Sequence, residues 1–253
     1  MTLSNTPRFR VAMASDDADL HAAYALRYDV FVRELGGGGP LVDHAAGLER
    51  DAFDPHFDHM LLWDDAAGQV VGGYRMLRTA QAQAAGQFYS EDEYDLAPLR
   101  ASGRQLLELG RSCVHAAYRG GPAMYHLWSG LAEYVAQHGI DILFGVASCH
   151  GTDVQALAAP LSLLHHRHLA PPALRVRARA PHAADMNILP EDQIDRRAAM
   201  VQVPALIKAY LRLGGVVGQG AYVDHGFNTT DVCLIMDTTA MSARQQRIYG
   251  GAT

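Results

Sequence analysis

Cysteine is scarce in this chain: Cys113, Cys149 and Cys233 are the three among 253 residues. Odd in number and widely spaced, they form neither a disulfide framework nor a zinc knuckle. No apolar run approaches the roughly 20 residues needed to cross a bilayer. The opening MTLSNTPRFR carries no apolar stretch, so no secretory signal is expected. A surplus of basic charge is missing too, since the formal net charge is -6, which argues against a general nucleic-acid binder. No Gly-x-Gly-x-x-Gly follows a strand pattern, which leaves a dinucleotide fold without support. What remains is 49% hydrophobic and 19% charged, long enough to bury a full core. The expectation is a soluble, cytoplasmic α/β protein.

Along the chain, Arg8 to Ala14 reads as a strand, and Asp16 and Asp17 supply cap chemistry for a helix through Leu20, Ala23, Leu26 and Phe31. The glycines at 36–39 end it, and an acid-rich loop runs to about Asp58. His59 to Trp63 and Val70 to Leu77 read as an antiparallel pair joined by Asp64 to Gly68. Leu106 to Val114 (LLELGRSCV) is the strongest strand signal, Ala123 to His138 a helix, and Asp141 to Cys149 a buried strand. Asp153 reads as the start of a further helix and Pro204 to Leu213 as another. Val216 to Val223 and Asp231 to Asp237 are closing strands. Strands and helices alternate only in the middle, which suits a mixed, mainly antiparallel sheet with helices on both faces. No linker divides the chain, so 1–253 reads as one domain. Residues 160–184 stand out as an Arg/His-rich insertion: they hold no Asp or Glu but include Arg167, Arg175, Arg177, Arg179 and four histidines.

Three groupings have chemical content. Glu108 and Arg111 sit inside the central strand, where charge needs partners or water. A regular strand puts them on opposite faces, and a bulge at Gly110 would bring them onto one. After that strand comes Tyr118-Arg119-Gly120-Gly121-Pro122-Ala123-Met124 and a helix, a turn whose free N–H groups suit a phosphate at the end of a pantetheine arm. The third is Glu49-Arg50-Asp51-Ala52-Phe53-Asp54, with Arg27 before it and Arg75 after it, an electrostatic cluster suited to a charged small molecule. Other features read as structural. His59 to Asp64 matches an H-x4-D pattern by chance on a strand, the adjacent His165 and His166 do not share a helix face and no carboxylate lies near them or His168, and Cys113 reads as a small buried residue. No metal site is expected.

Arg27-Tyr28-Asp29-Val30-Phe31, Glu49-x-Asp51-x-x-Asp54, Arg75 and Glu108-x-x-Arg111 together resemble the acyl-homoserine lactone synthases, a branch of the GNAT acyltransferase fold. LELGRSCV (107–114), LHHRHLAP (164–171), PALIKAYLRLGG (204–215) and FNTTDVC (227–233) are similar to segments of the ornithine N-acyltransferases of ornithine-lipid synthesis. The likeness covers about residues 9–237. It implies a GNAT-like fold with a splayed or bulged central strand. It implies transfer of a 3-hydroxyacyl group from acyl carrier protein to the α-amine of L-ornithine, giving lyso-ornithine lipid. No cofactor is implied beyond the phosphopantetheine that arrives covalently on the carrier.

On that reading Glu108 is the general base, direct or through water, with Arg111 beside it in the catalytic set. Arg27, Arg75 or Arg111 holds the ornithine carboxylate, Asp51 or Asp54 its δ-ammonium, and Asn228 joins the acceptor-binding set. Val114, Arg119, Gly120, Gly121 and Met124 serve the pantetheine and its phosphate. Replacing Glu108 with Ala is expected to cut turnover and leave the fold intact. The alternatives are a synthase whose acceptor is S-adenosylmethionine, and a non-catalytic module that binds acyl thioesters. The basic stretch reads as an ordinary solvated loop or as a dock for the acidic carrier or for anionic lipid headgroups. Pro204 to Leu213, with Lys208 and Arg212, reads as a core helix or as a transient contact at the inner membrane face.

Overall fold

The computed structural model describes residues 6–39, 42–242 and 245. The first elements are β1 (Phe9–Met13), α1 (Asp17–Arg27), β2 (Asp58–Asp64), β3 (Gln69–Arg78), α2 (Thr79–Ala85), β4 (Tyr94–Asp95) and α3 (Ala97–Ala101). Then come β5 (Leu106–Val114), α4 (Ala123–His138), β6 (Ile142–His150), α5 (Ala158–His168), β7 (Arg177–Ala178) and β8 (Ala183–Ala184). The last are α6 (Arg196–Gln202), α7 (Ala205–Arg212), β9 (Val216–Val217), β10 (Ala221–Asp224) and β11 (Thr229–Asp237). The described residues group into two compact units. One takes the chain up to Leu77 and then Leu109–His138, and the other takes Arg78–Glu108 and the chain from Gly139 onward. Strand β5 passes from one unit to the other between Glu108 and Leu109.

In the first unit, β1 pairs antiparallel with β2 from Phe9↔Asp64 to Met13↔Met60, and β2 pairs antiparallel with β3. The turn between β2 and β3 is fixed by Asp64, whose carboxylate accepts from the backbone N–H groups of Arg8 and Ala66. Beyond β3 lies β5, with His115 N–H donating to Val71 C=O. Helix α1 begins where the sequence places a cap: the Asp16 side chain accepts from Asp19 N–H. It buries Ala23 and Leu26 against Leu61, Val70 and Cys113. After Arg27 the coil widens into π-helical turns over Tyr28–Glu34, a local irregularity often found at functional sites.

In the second unit, the first part of β5 pairs parallel with β6, from Leu106↔Ile142 to Glu108↔Phe144. Strand β6 then pairs antiparallel with β11 over nine residues, and β11 with β10. Antiparallel pairing dominates and the central strand is irregular, as expected. Val216 to Val223 does not form one strand. It breaks into β9 and β10, because the register against β11 shifts by two residues between Val217↔Leu234 and Tyr222↔Asp231, around Gly220 at φ +80. Asp153 opens a turn, accepting from the N–H groups of Gln155 and Ala156, and α5 starts only at Ala158. Within the stretch 160–184, residues 160–168 are therefore helical. Helix α7 turns Ile207 and Tyr210 into the unit. Among the described residues, no helix is long and apolar enough to cross a membrane.

Candidate functional site

Six charged side chains of the first unit close into a ring of alternating sign. The loop before β2 delivers its three acids by local hydrogen bonding: Glu49 N–H donates to Tyr24 C=O, Asp51 accepts from Phe53 N–H, and Asp54 accepts from Asp51 N–H at 2.7 Å. Pro55 sits inside the single helical turn Asp54–His56, where a missing N–H costs nothing. The three arginines come from the end of α1, from β3 and from β5. Arg27 bonds Glu49 through Nε and Asp54 through Nη1 at 2.6 Å. Arg75 Nη1 reaches Asp54 at 2.8 Å and Asp51 at 2.7 Å. Arg111 reaches Glu49 through Nε and Asp51 through Nη2, both at 3.2 Å. Each arginine thus bridges two carboxylates, and each carboxylate bridges two arginines.

The ring is unevenly exposed. Side-chain exposure is 4% for Arg27, 2% for Glu49, and 1% for both Asp54 and Arg75, but 18% for Asp51 and 13% for Arg111. Burial alone would raise the carboxyl of Asp54, yet Arg27 and Arg75 outweigh it and hold the group well below the usual carboxylate range. Glu49 and Asp51 follow the same balance: burial pushes up, the neighbouring arginines pull further down. Burial lowers His59, whose Nε2 lies 3.0 Å from Asp54 C=O. That contact gives His59 a structural place, and Asp64 of the same H-x4-D match is taken up by the β2–β3 turn. A cavity of about 10 Å³, the size of one water, is lined by Arg27, His59, Tyr74, Arg75, Arg111 and Cys113. Burial pushes the Cys113 thiol up to about 12, so it stays protonated and is no nucleophile at neutral pH.

Strand β5 is distorted where the ring needs it. Gly110 is required for close approach: a Cβ there would meet Arg75 Nε at 3.2 Å. The left-handed backbone falls on the next residue, Arg111, with φ +48. A non-glycine residue in that region is strained and marks a position held by its surroundings. Arg111, grouped with Glu108 by sequence spacing, is brought to Glu49 and Asp51.

Glu108, in the second unit, meets other partners. Its carboxylate accepts from Tyr89 N–H at 2.8 Å, Ser90 N–H at 2.7 Å and the Ser90 hydroxyl, and is 1% exposed. These bonds fasten the turn at 88–92 to β5, so Glu108→Ala would strip a buried anchor and would not leave the fold untouched. Asn228 takes φ +54 in the β10–β11 turn and its C=O accepts from Gly151 N–H. In the glycine turn, Arg119 donates to Val114 C=O and forms a bidentate pair with Glu34, while Tyr74 hydroxyl meets Met124 Sδ at 3.8 Å. Gly120 takes φ +74, and Gly121 follows it just before α4. Sequence reading missed one grouping: the carboxylates of Glu93, Asp224 and Asp231 converge to within 4.8 Å, a donor set of the kind that can hold a cation. Their spacing of more than 130 residues left no local signal.

A family model for an acetyltransferase (GNAT) domain matches residues 26–129. An L-ornithine N(alpha)-acyltransferase of Rhodobacter capsulatus is 56% identical over 246 residues, covering 95% of this chain and 94% of that protein. One of Brucella abortus is 40% identical over 247 residues, covering 95% and 88%. Among solved structures, the CoA-dependent acyl-homoserine lactone synthase BjaI with MTA aligns with a TM-score of 0.53 and 15% identity, over 97% of this chain and 92% of that one. That likeness is one of fold, and the fold is GNAT-like.

Proposed function

Because the chain belongs to the L-ornithine N(alpha)-acyltransferase family and is therefore an acyltransferase, we propose that it moves a 3-hydroxyacyl group from acyl carrier protein to the α-amine of L-ornithine, the first step of ornithine lipid biosynthesis. The observation that carries this reading is the closed ring of three arginines and three carboxylates beside the distorted central strand. A thioester is already activated, so the enzyme's task is to orient two substrates and present an unprotonated amine. A rigid, neutral array of guanidinium and carboxylate groups suits an amino acid that brings both signs of charge.

In the step itself the α-nitrogen attacks the thioester carbon, forming the C–N bond. The C–S bond then breaks, the phosphopantetheine sulfur leaves on the carrier as a thiolate, and the proton lost by the nitrogen reaches it through water to give the thiol. An α-amine titrates near 8 and a side-chain amine near 10.4, so the α-position loses its proton more readily at neutral pH. The turn at 118–122 receives the pantetheine end of the donor, and no further cofactor enters. Lipid extraction from a host expressing the chain tests this function. A new amine-containing lyso-lipid that incorporates labelled ornithine is expected, and unchanged lipids in a host with ample 3-hydroxyacyl carrier protein would refute it.

A further inference from the structure

Resting on the ornithine reading, we propose that the rim of the ring reads the two charged ends of the acceptor: Arg111 takes the α-carboxylate and Asp51 the δ-ammonium. The other four members are scaffold. Arg27, Glu49, Asp54 and Arg75 are between 1% and 4% exposed, and each ion pair among them has a contact of 2.8 Å or less. The Arg111–Asp51 pair is the exposed side of the ring and has 3.2 Å contacts. It is the edge that opens at least cost.

Charge alternation shows what fits there. Separating Arg111 from Asp51 leaves a cation facing an anion, and a molecule carrying a carboxylate at one end and an ammonium at the other restores both pairs. The ring then runs on with its alternation intact and no buried charge is left alone. The left-handed backbone of Arg111 agrees, since strain held at one residue of a strand marks a position built for a task other than folding.

The arrangement also accounts for the site of acylation. The δ-amine, with an ordinary value near 10.4, stays charged and bound at Asp51, while the α-amine near 8 is left to lose its proton and react. Ornithine would thus be held by the nitrogen that must not react.

Two acceptor analogues separate the roles. L-Norvaline keeps the carboxylate and the carbon chain but lacks the δ-amine, and 1,4-diaminobutane keeps the amines but lacks the carboxylate. Each is measured as a competitor of labelled L-ornithine with wild type, Asp51→Asn and Arg111→Lys, with Arg111→Gln as a further variant. Asp51→Asn is close to isosteric, and its amide oxygen still accepts from Phe53 N–H. Loss of a charge-assisted bond predicts that Asp51→Asn erodes the preference for ornithine over norvaline by about tenfold or more. The Arg111 variants should erode the preference over diaminobutane to a similar degree, with the donor KM unchanged in both. A purely structural role would lower activity without moving these ratios. Unchanged ratios in variants of an enzyme that does acylate ornithine would overturn the rim assignment. A wild type that acylates no ornithine would instead overturn the functional reading beneath it.

Discussion

Arginine serves two opposite purposes in this protein, and the contrast between the ring and the stretch 160–184 shows how. Of the 21 cationic residues, 20 are arginine and Lys208 is the one lysine. In the ring, Arg27, Arg75 and Arg111 are buried or nearly so, and their charge is matched one for one by carboxylates on the same unit. In the basic stretch, Arg177 and Arg179 are exposed, and Arg175 and Arg177 line an open groove of about 290 Å³ with Asp95, Pro98 and Pro172. Arg167 is matched by Glu191 at 2.7 Å, but no acid lies within the stretch itself. Buried, paired charge gives geometry and little long-range field, whereas exposed charge gives field and little geometry. The first suits positioning a small substrate, the second attracting an acidic partner.

The comparison breaks most visibly under truncation. Asp54→Ala removes one partner from two buried arginines and should lower stability by about 3–5 kcal/mol, read as the shift in a urea unfolding curve. A loss below about 1 kcal/mol would mean that the ring is solvated and not closed. Glu108→Ala should cost about 2–3 kcal/mol, because two backbone N–H groups and a hydroxyl lose a buried acceptor. Its lower turnover must therefore be read at a temperature where the variant is folded.

Acid should separate the two regions next. Glu49, Asp51 and Asp54 are held below their ordinary values of 4.5, 3.8 and 3.8, so the unfolded chain binds protons first as pH falls. Their contribution is complete above about 4.5 and is lost as pH drops through the folded-state values. His59, lowered from 6.5, acts in the same sense, and its share starts to go as pH falls below 6.5. Thermal unfolding should thus weaken gently below pH 6.5 and steeply below 4.5, and Asp54→Asn should flatten the steeper part. Replacing Arg175, Arg177 and Arg179 by Glu should leave this profile alone and change stability by no more than about 0.5 kcal/mol. Its effect belongs on the donor side, as a several-fold rise in the KM for acyl carrier protein that shrinks with added salt. No change in that KM would return the stretch to an ordinary solvated surface.

The regular elements were legible from pattern alone: β5 and α4 run over Leu106–Val114 and Ala123–His138, the spans that apolar spacing and flanking glycines mark out. Element breaks were less so, because the gap between β9 and β10 follows from a register shift against β11, which is set by pairing and not by local pattern. Within the site, the residue types of the acid loop and of Arg27 and Arg75 pointed to a cluster. Its closure did not show, since it depends on Arg111 adopting a left-handed backbone and on Gly110 making room for Arg75. Sequence spacing paired Arg111 with Glu108, three residues away, whereas long side chains let it reach acids about 60 residues earlier.

The most direct measurement supplies the purified protein with 3-hydroxyacyl carrier protein and either isotopically labelled L-ornithine or labelled S-adenosylmethionine. Nα-acylated ornithine is the expected labelled product, with none from S-adenosylmethionine. Acylation of S-adenosylmethionine with ornithine left untouched would contradict it.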